Sequence, residues 1–264
     1  MFYCILLAWQ SITGHLSAYR EVCEQAATDP ACLSLFRSIP EFRVAFEIGD
    51  GTMFSHYVAA SDKLLLQLED FRRMEAIGSP PLIDYPVVGK FTATTLRYIC
   101  IADQILKMVP PGERPIIAEI GPGFGGQCYI LSQIHPFSKY YFYDLPEVES
   151  LIGKMMEVLH VENTRCIPFS EPLPEERIDL VISNYAFSEC DRELQLSYFD
   201  RVIRKADRGY IIYNQIIQGC GIDSLSPDEF IQLLKDNGFR PRTYKEILAT
   251  APGNILITWN RTKK

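Results

Sequence analysis

The sequence predicts an α/β protein: a Rossmann-like, seven-stranded sheet with its last strand antiparallel, preceded by a mostly helical N-terminal region. Three observations lead there. From residue 115 onward, short apolar runs alternate with helical patterns, the rhythm of a parallel sheet covered on both faces. The first of those runs enters the glycine cluster of "IIAEIGPGFGGQCYIL", a strand-to-helix turn in which backbone can approach a ligand. The chain finishes with "RPRTYKEILAT" and "NILITWNRT", two extended runs separated by Ala251-Pro252-Gly253. That link is too short for a parallel crossover and joins antiparallel strands.

Composition bounds the rest. The chain has 264 residues, 47% of them hydrophobic and 22% charged, enough to bury a full core. Its net charge of −7 is spread evenly: residues 1–110 carry 9 basic and 12 acidic side chains, and residues 111–264 carry 17 and 21. With no basic patch, nucleic acid is not the expected partner. Eight cysteines are scattered without a C-x-x-C or a zinc spacing, so neither a zinc site nor a disulfide framework is expected, and a reducing cytoplasm is the expected compartment. The start, "MFYCILLAW", lacks a cationic flank and is too short to span a bilayer. It reads as a buried segment, with a signal peptide as the lesser alternative.

Residues 1–110 read as a helical lid or substrate-binding region. "HLSAYREVCEQAA" sets Leu16, Tyr19, Val22, Cys23 and Ala26 on one helical face. Asp29-Pro30 supplies a cap and a proline for a second helix. "AASDKLLLQLEDFRRMEAIG" reads as one helix stopped at Gly78, "GSPPLIDYPVVGK" as irregular, and "TATTLRYICIADQILKMV" as a helix ended by Pro110-Pro111-Gly112.

Residues 111–264 form the predicted cofactor-binding domain. Strands are expected at 116–120, 140–143, 164–167, 178–183 and 210–213, and helices near 126–134, 146–159, 191–204 and 227–237. The last helix carries a capping box in Ser226 and Glu229, with Pro227 at its start and Gly238 after its end.

The glycine cluster supports two cofactor readings. Gly121, Gly123 and Gly126 make G-x-G-x-x-G, a dinucleotide signature. Glu119, Gly121, Gly123 and Gly125 make E-x-G-x-G-x-G, the signature of a methyl donor's site. Asp144, at the tip of the second strand in "YYFYDLPEV", can accept two hydrogen bonds from ribose hydroxyls in either case. The reversed final strand favours the methyl donor, because it is uncommon in dinucleotide-binding domains and usual in methyltransferases that use S-adenosylmethionine.

The pieces "EIGPGFGGQ", "YDLPEV", "NYAFSECDRE" and "RGYIIYN", with "IGSPPLIDYPVVGKFTATTLRY" upstream, resemble the class I S-adenosylmethionine-dependent methyltransferases. More closely, they resemble the sugar O-methyltransferase family, over about residues 74 to 260. Pro122 departs from the small residue usual there. The resemblance implies S-adenosylmethionine as cofactor, held by Glu119, Gly121, Gly123, Gly125, Asp144, Leu145, Phe169, Ser170 and Asn184. It also implies a sugar or glycoconjugate substrate near Tyr85, Tyr185, Ser188, Tyr213 and Asn214, on a rim where the fifth strand exits through Tyr213-Asn214-Gln215. Phe124 is either a stacking ring of that rim or core filling.

A sugar hydroxyl is poorly acidic, so O-methylation is helped by a base or a metal ion; no Asp/Glu/His cluster at ligand spacing argues for a metal, and the requirement for one stays open. Glu189, leaving the fourth strand, is the first candidate base, and His56 is the second, since imidazole suits proton removal near neutrality. His15, His135 and His160 read as structural. Two rival readings stay open: an NAD-dependent oxidoreductase, and a catalytically inactive methyltransferase-like binding protein. The oligomeric state also stays open, a homo-oligomer included.

Overall fold

The computed structural model describes residues 12–47, 49–171, 176–214 and 221–262. The apolar start, Gln215 and the cysteines Cys4 and Cys220 lie outside the described residues. The described chain forms two compact units. One comprises the described residues of Met1–Pro110, Gly123–Pro136 and Leu145–Glu162; the other comprises those of Pro111–Pro122, Phe137–Asp144 and Asn163–Lys264.

In chain order the elements are α1 (Ile12–Thr28), α2 (Pro30–Leu33), α3 (Pro40–Phe46), α4 (Thr52–Ala59), α5 (Asp62–Leu65), α6 (Leu68–Arg72), β1 (Ile83–Tyr85), β2 (Gly89–Phe91) and α7 (Ala93–Leu106). Then follow β3 (Ile116–Ile120), α8 (Gly126–Ile134), β4 (Lys139–Tyr143), α9 (Pro146–Val158), β5 (Thr164–Cys166), β6 (Ile178–Tyr185) and α10 (Ala186–Glu189). The chain ends with α11 (Arg192–Arg201), β7 (Ala206–Tyr213), α12 (Pro227–Asp236), β8 (Phe239–Lys245) and β9 (Ile255–Arg261).

The first unit is helical apart from the β1–β2 hairpin. The Asp29 side chain accepts from the Ala31 N–H and starts α2 as its sequence predicts. Two stretches differ from their reading. The expected single helix over "AASDKLLLQLEDFRRMEAIG" is broken into α5, α6 and a 3-10 turn, because the Ser61 side chain caps α5 and the chain restarts after Gln67. The proline-rich stretch contains the β1–β2 hairpin, where Gly89 takes a φ of 77° opposite Tyr85. Within this unit Arg37 is fully buried. It donates to Glu47 Oε1 (2.9 Å), Glu75 Oε2 (3.1 Å), the Met74 carbonyl (3.2 Å) and Thr92 Oγ1 (3.1 Å). A buried guanidinium is tolerated only with such partners.

The second unit holds the whole seven-stranded sheet, in the order β5-β4-β3-β6-β7-β9-β8. Strands β3 to β7 pair in parallel, and β9 runs antiparallel between β7 and β8. This is the fold class the sequence predicts. Strand alternation sends Ala118, Ile120, Tyr141, Tyr143, Ile257 and Trp259 to one buried cluster with Phe199, Phe230 and Leu234. Residues of alternate position on these strands and β6, among them Ile117, Tyr140, Phe142 and Ile182, are buried on the other face. The capping box of Ser226 and Glu229 starts α12 as read. The connection between β8 and β9 is longer than the tripeptide read from sequence: pairing stops at Lys245 opposite Ile255, leaving residues 246–254 as a loop. No helix among the described residues is long and apolar enough to cross a membrane.

Candidate functional site

The carboxyl ends of β3 and β6 are locked together in the second unit. Ser183 Oγ donates to the Ile120 carbonyl (2.8 Å) and accepts from the Phe187 N–H (3.0 Å). Gly121, the next residue after β3, has a φ of 68°, and its N–H donates to the Tyr143 carbonyl at 3.0 Å. A Cβ at Gly121 would stand 2.0 Å from the Ala186 Cβ. Both the left-handed backbone and the close approach of α10 therefore require glycine there.

Acidic groups gather along this edge. Glu119 is fully buried and accepts from the Tyr140 hydroxyl at 2.7 Å. Burial pushes its pKa up to about 8, the Tyr140 bond opposes that rise, and the charge of Asp144 adds to it. Asp144 itself is half-buried. The helix after it takes Leu145, not Asp144, as its N-cap, without a side-chain cap bond. The Cys190 thiol is pushed up to about 12, first by burial and then by the carboxylates of Glu189, Asp144 and Asp191.

Beyond β6 the chain turns sharply. Asn184 is half-buried, and Tyr185 adopts φ 77°, ψ −44°, a strained region for a side-chain-bearing residue. Ser188 Oγ donates to the Tyr185 carbonyl (2.6 Å) and accepts from the Asn214 N–H (2.8 Å). Asn214 Nδ2 donates to Glu189 Oε1 at 3.0 Å. The protein atoms crowding Glu189 raise its pKa, and the Asn214 bond opposes the rise. The residue nevertheless keeps an exposed surface, so water offsets part of that desolvation.

Two rim candidates point inward. Ser188 is buried with its hydroxyl engaged as above, and the buried Tyr213 donates its phenol proton to the Leu225 carbonyl while accepting from Gln195 Nε2 (3.3 Å). Phe169 is half-buried, edge-on to Tyr198 and beneath the Arg201 guanidinium (4.3 Å), and Ser170 is exposed beside it.

The other candidates belong to the first unit. Gly123 has a φ of 60°, and a Cβ there would lie 2.3 Å from the Phe46 ring; Gly125, at φ 83°, is the N-cap of α8. Between them Phe124 is fully buried, ringed by Phe36, Phe42, Phe46 and Tyr98 with Arg37 over its face, so core filling is the role observed for it. Tyr85 is buried and donates to the Asp50 carbonyl (2.6 Å). His56 is exposed on α4, and Leu145 is half-buried.

Sequence reading missed Tyr140, the brace on Glu119, and Glu246, which accepts from the Tyr185 hydroxyl. Tyr140 was legible in principle, since parallel pairing of consecutive strands puts it on the face of Glu119. Nothing in the sequence signals Glu246. Among the described residues, no group of three or more His, Cys, Asp or Glu side chains is disposed to hold a metal ion.

No protein-family model matches the chain, and no curated protein matches it. Among solved structures it is similar to a SAM-dependent methyltransferase from Aquifex aeolicus (18% identity over 60% of this chain and 88% of that one, TM-score 0.47). It is also similar to an O-methyltransferase family 2 protein from Planctomyces limnophilus in complex with apigenin (14% identity, 61% and 56%, TM-score 0.47). A third similar structure is PigF with SAH (13% identity, 61% of each chain, TM-score 0.46). Likeness this slight bears on neither cofactor nor substrate.

Proposed function

We propose that this protein is an S-adenosylmethionine-dependent O-methyltransferase that methylates a hydroxyl of a sugar or glycoconjugate. The observation that carries the reading is the loop after β3. Glu119 is followed by left-handed backbone at Gly121, Gly123 and Gly125, whereas Gly126 is not left-handed and opens α8. The left-handed positions are those of E-x-G-x-G-x-G, and the next strand ends in Asp144.

The donor set suits this ligand. A buried carboxyl whose pKa is raised to about 8 beside a second acid is relieved by a cation, and the ligand brings an ammonium and a sulfonium. In this reading Asp144 accepts from the ribose hydroxyls, and Glu119 faces the ammonium. The glycines offer close backbone approach, and Leu145, Asn184, Phe169 and Ser170 flank the nucleoside. When bound, S-adenosylmethionine supplies an electrophilic methyl group.

Glu189 takes the proton of the attacking hydroxyl. Asn214 holds its Oε1, which leaves Oε2 for that proton; His56 is the alternative base. The sugar acceptor is supported by the resemblance of "NYAFSECDRE" and "RGYIIYN". Tyr185 is its assigned aromatic and the Asn214 side chain its polar contact.

The test is methyl transfer from isotopically labelled S-adenosylmethionine to a panel of methyl glycosides, read by mass spectrometry. Label on a sugar hydroxyl is expected. Binding of S-adenosylhomocysteine without transfer to any panel member overturns the enzymatic reading in favour of a binding protein.

A further inference from the structure

Tyr185 holds a backbone conformation that is strained for a non-glycine residue and persists only where its surroundings enforce it. Two sets of contacts do so. On its main chain, Ser188 Oγ bonds the carbonyl and is itself tied to the Asn214 N–H. On its side chain, the phenol donates to Glu246 Oε1 across 61 residues of sequence.

Glu246 is 8% exposed, and its second oxygen accepts from Asn254 Nδ2 (2.9 Å) and from the Thr250 N–H (3.3 Å). Asn254 Nδ2 also reaches Thr250 Oγ1 (3.3 Å), and the Glu246 N–H donates to the Asn254 carbonyl (3.3 Å). One carboxylate oxygen therefore stitches the 246–254 loop to itself. The other is reserved for Tyr185.

We propose that Glu246 is a positioning residue for the acceptor side of the site. Through the Tyr185 phenol it holds the strained turn that presents Asn184 and carries α10, and so fixes where Glu189 stands against Asn214. The functional part of this inference rests on the methyltransferase reading above; the clamp itself does not.

The experiment compares Glu246→Ala, Tyr185→Phe and the double variant. With S-adenosylmethionine and a methyl glycoside accepted by the wild type, each single variant lowers kcat about tenfold, the scale of a small misplacement of reacting groups. S-adenosylhomocysteine affinity falls less than kcat does, since Asn184 is the one assigned donor contact on this turn. The double variant is no slower than either single one, because one linkage is broken in all three.

Amide hydrogen exchange of residues 184–189 gives a second readout, faster in each single variant and no faster in the double. A Glu246 that merely stabilises its own loop predicts multiplying effects and unchanged kcat in Tyr185→Phe; either result overturns the proposal. If the wild type methylates nothing, the functional reading fails, and the exchange data still decide the clamp.

Discussion

Tyr140 donates its phenol proton to Glu119 at 2.7 Å, between neighbouring strands and on one face of the sheet. That bond holds a carboxyl group in an otherwise apolar layer beside Ile117 and Phe142. The bond fixes the acid at the start of the glycine loop in place and favours its charged form, while burial opposes it and pushes the pKa up to about 8.

Glu119 makes stability fall as pH rises. Its folded pKa is raised to about 8 from an ordinary value of 4.5, so its contribution is full below the ordinary value and lost as pH climbs through the folded one. The slope is at most about 1.4 kcal/mol per pH unit. Denaturant unfolding from pH 5 to pH 8 should show this decline in the wild type and a flatter profile in Glu119→Gln. A cationic ligand beside Glu119 lowers its pKa, so donor binding near neutral pH should release protons, measurable by calorimetry in buffers of different ionisation enthalpy.

Asp144→Ala should weaken S-adenosylhomocysteine binding at least about tenfold, because a hydrogen bond to a charged group contributes about 1.5–3 kcal/mol. Unchanged affinity removes Asp144 from the site.

Glu189→Gln should spare donor affinity and lower turnover about 100-fold or more, the scale of general-base catalysis. The acid limb of the pH–rate profile should lie above the ordinary carboxylate range, because the Glu189 pKa is raised. Asn214→Ala removes the hydrogen bond that opposes this rise, so it should move the limb to higher pH. Full activity in Glu189→Gln excludes that residue as the base and leaves His56 to be tested in the same way.

Gly121→Ala should destabilise the fold by about 2 kcal/mol or more, from the left-handed backbone and the overlap with Ala186. Adding Ala186→Gly should recover the part due to overlap and leave the backbone part. Chemical denaturation of the two single variants and the double variant measures both.

Much of the sheet was legible because its strands are buried on both faces and read as mostly apolar runs, such as "IIAEI" and "DLVIS". The glycine loop, the reversed last strand and the Ser226 capping box were legible because each depends on local chemistry. Other features depend on where a turn aims the chain. Ser188 and Tyr213 follow strands that end at the rim, yet strand alternation and the Tyr185 turn send their hydroxyls into the protein. The β1–β2 hairpin was masked by its prolines, and the partnership of Tyr185 with Glu246 joins distant segments that no local pattern connects.

The central claim, a methyl-donor site on the glycine loop, is tested most directly by isothermal titration of the protein with S-adenosylhomocysteine and, separately, with NAD. The account predicts saturable one-site binding of S-adenosylhomocysteine, weakened by Asp144→Ala, and no heat with NAD. Tight NAD binding with no response to S-adenosylhomocysteine would contradict it.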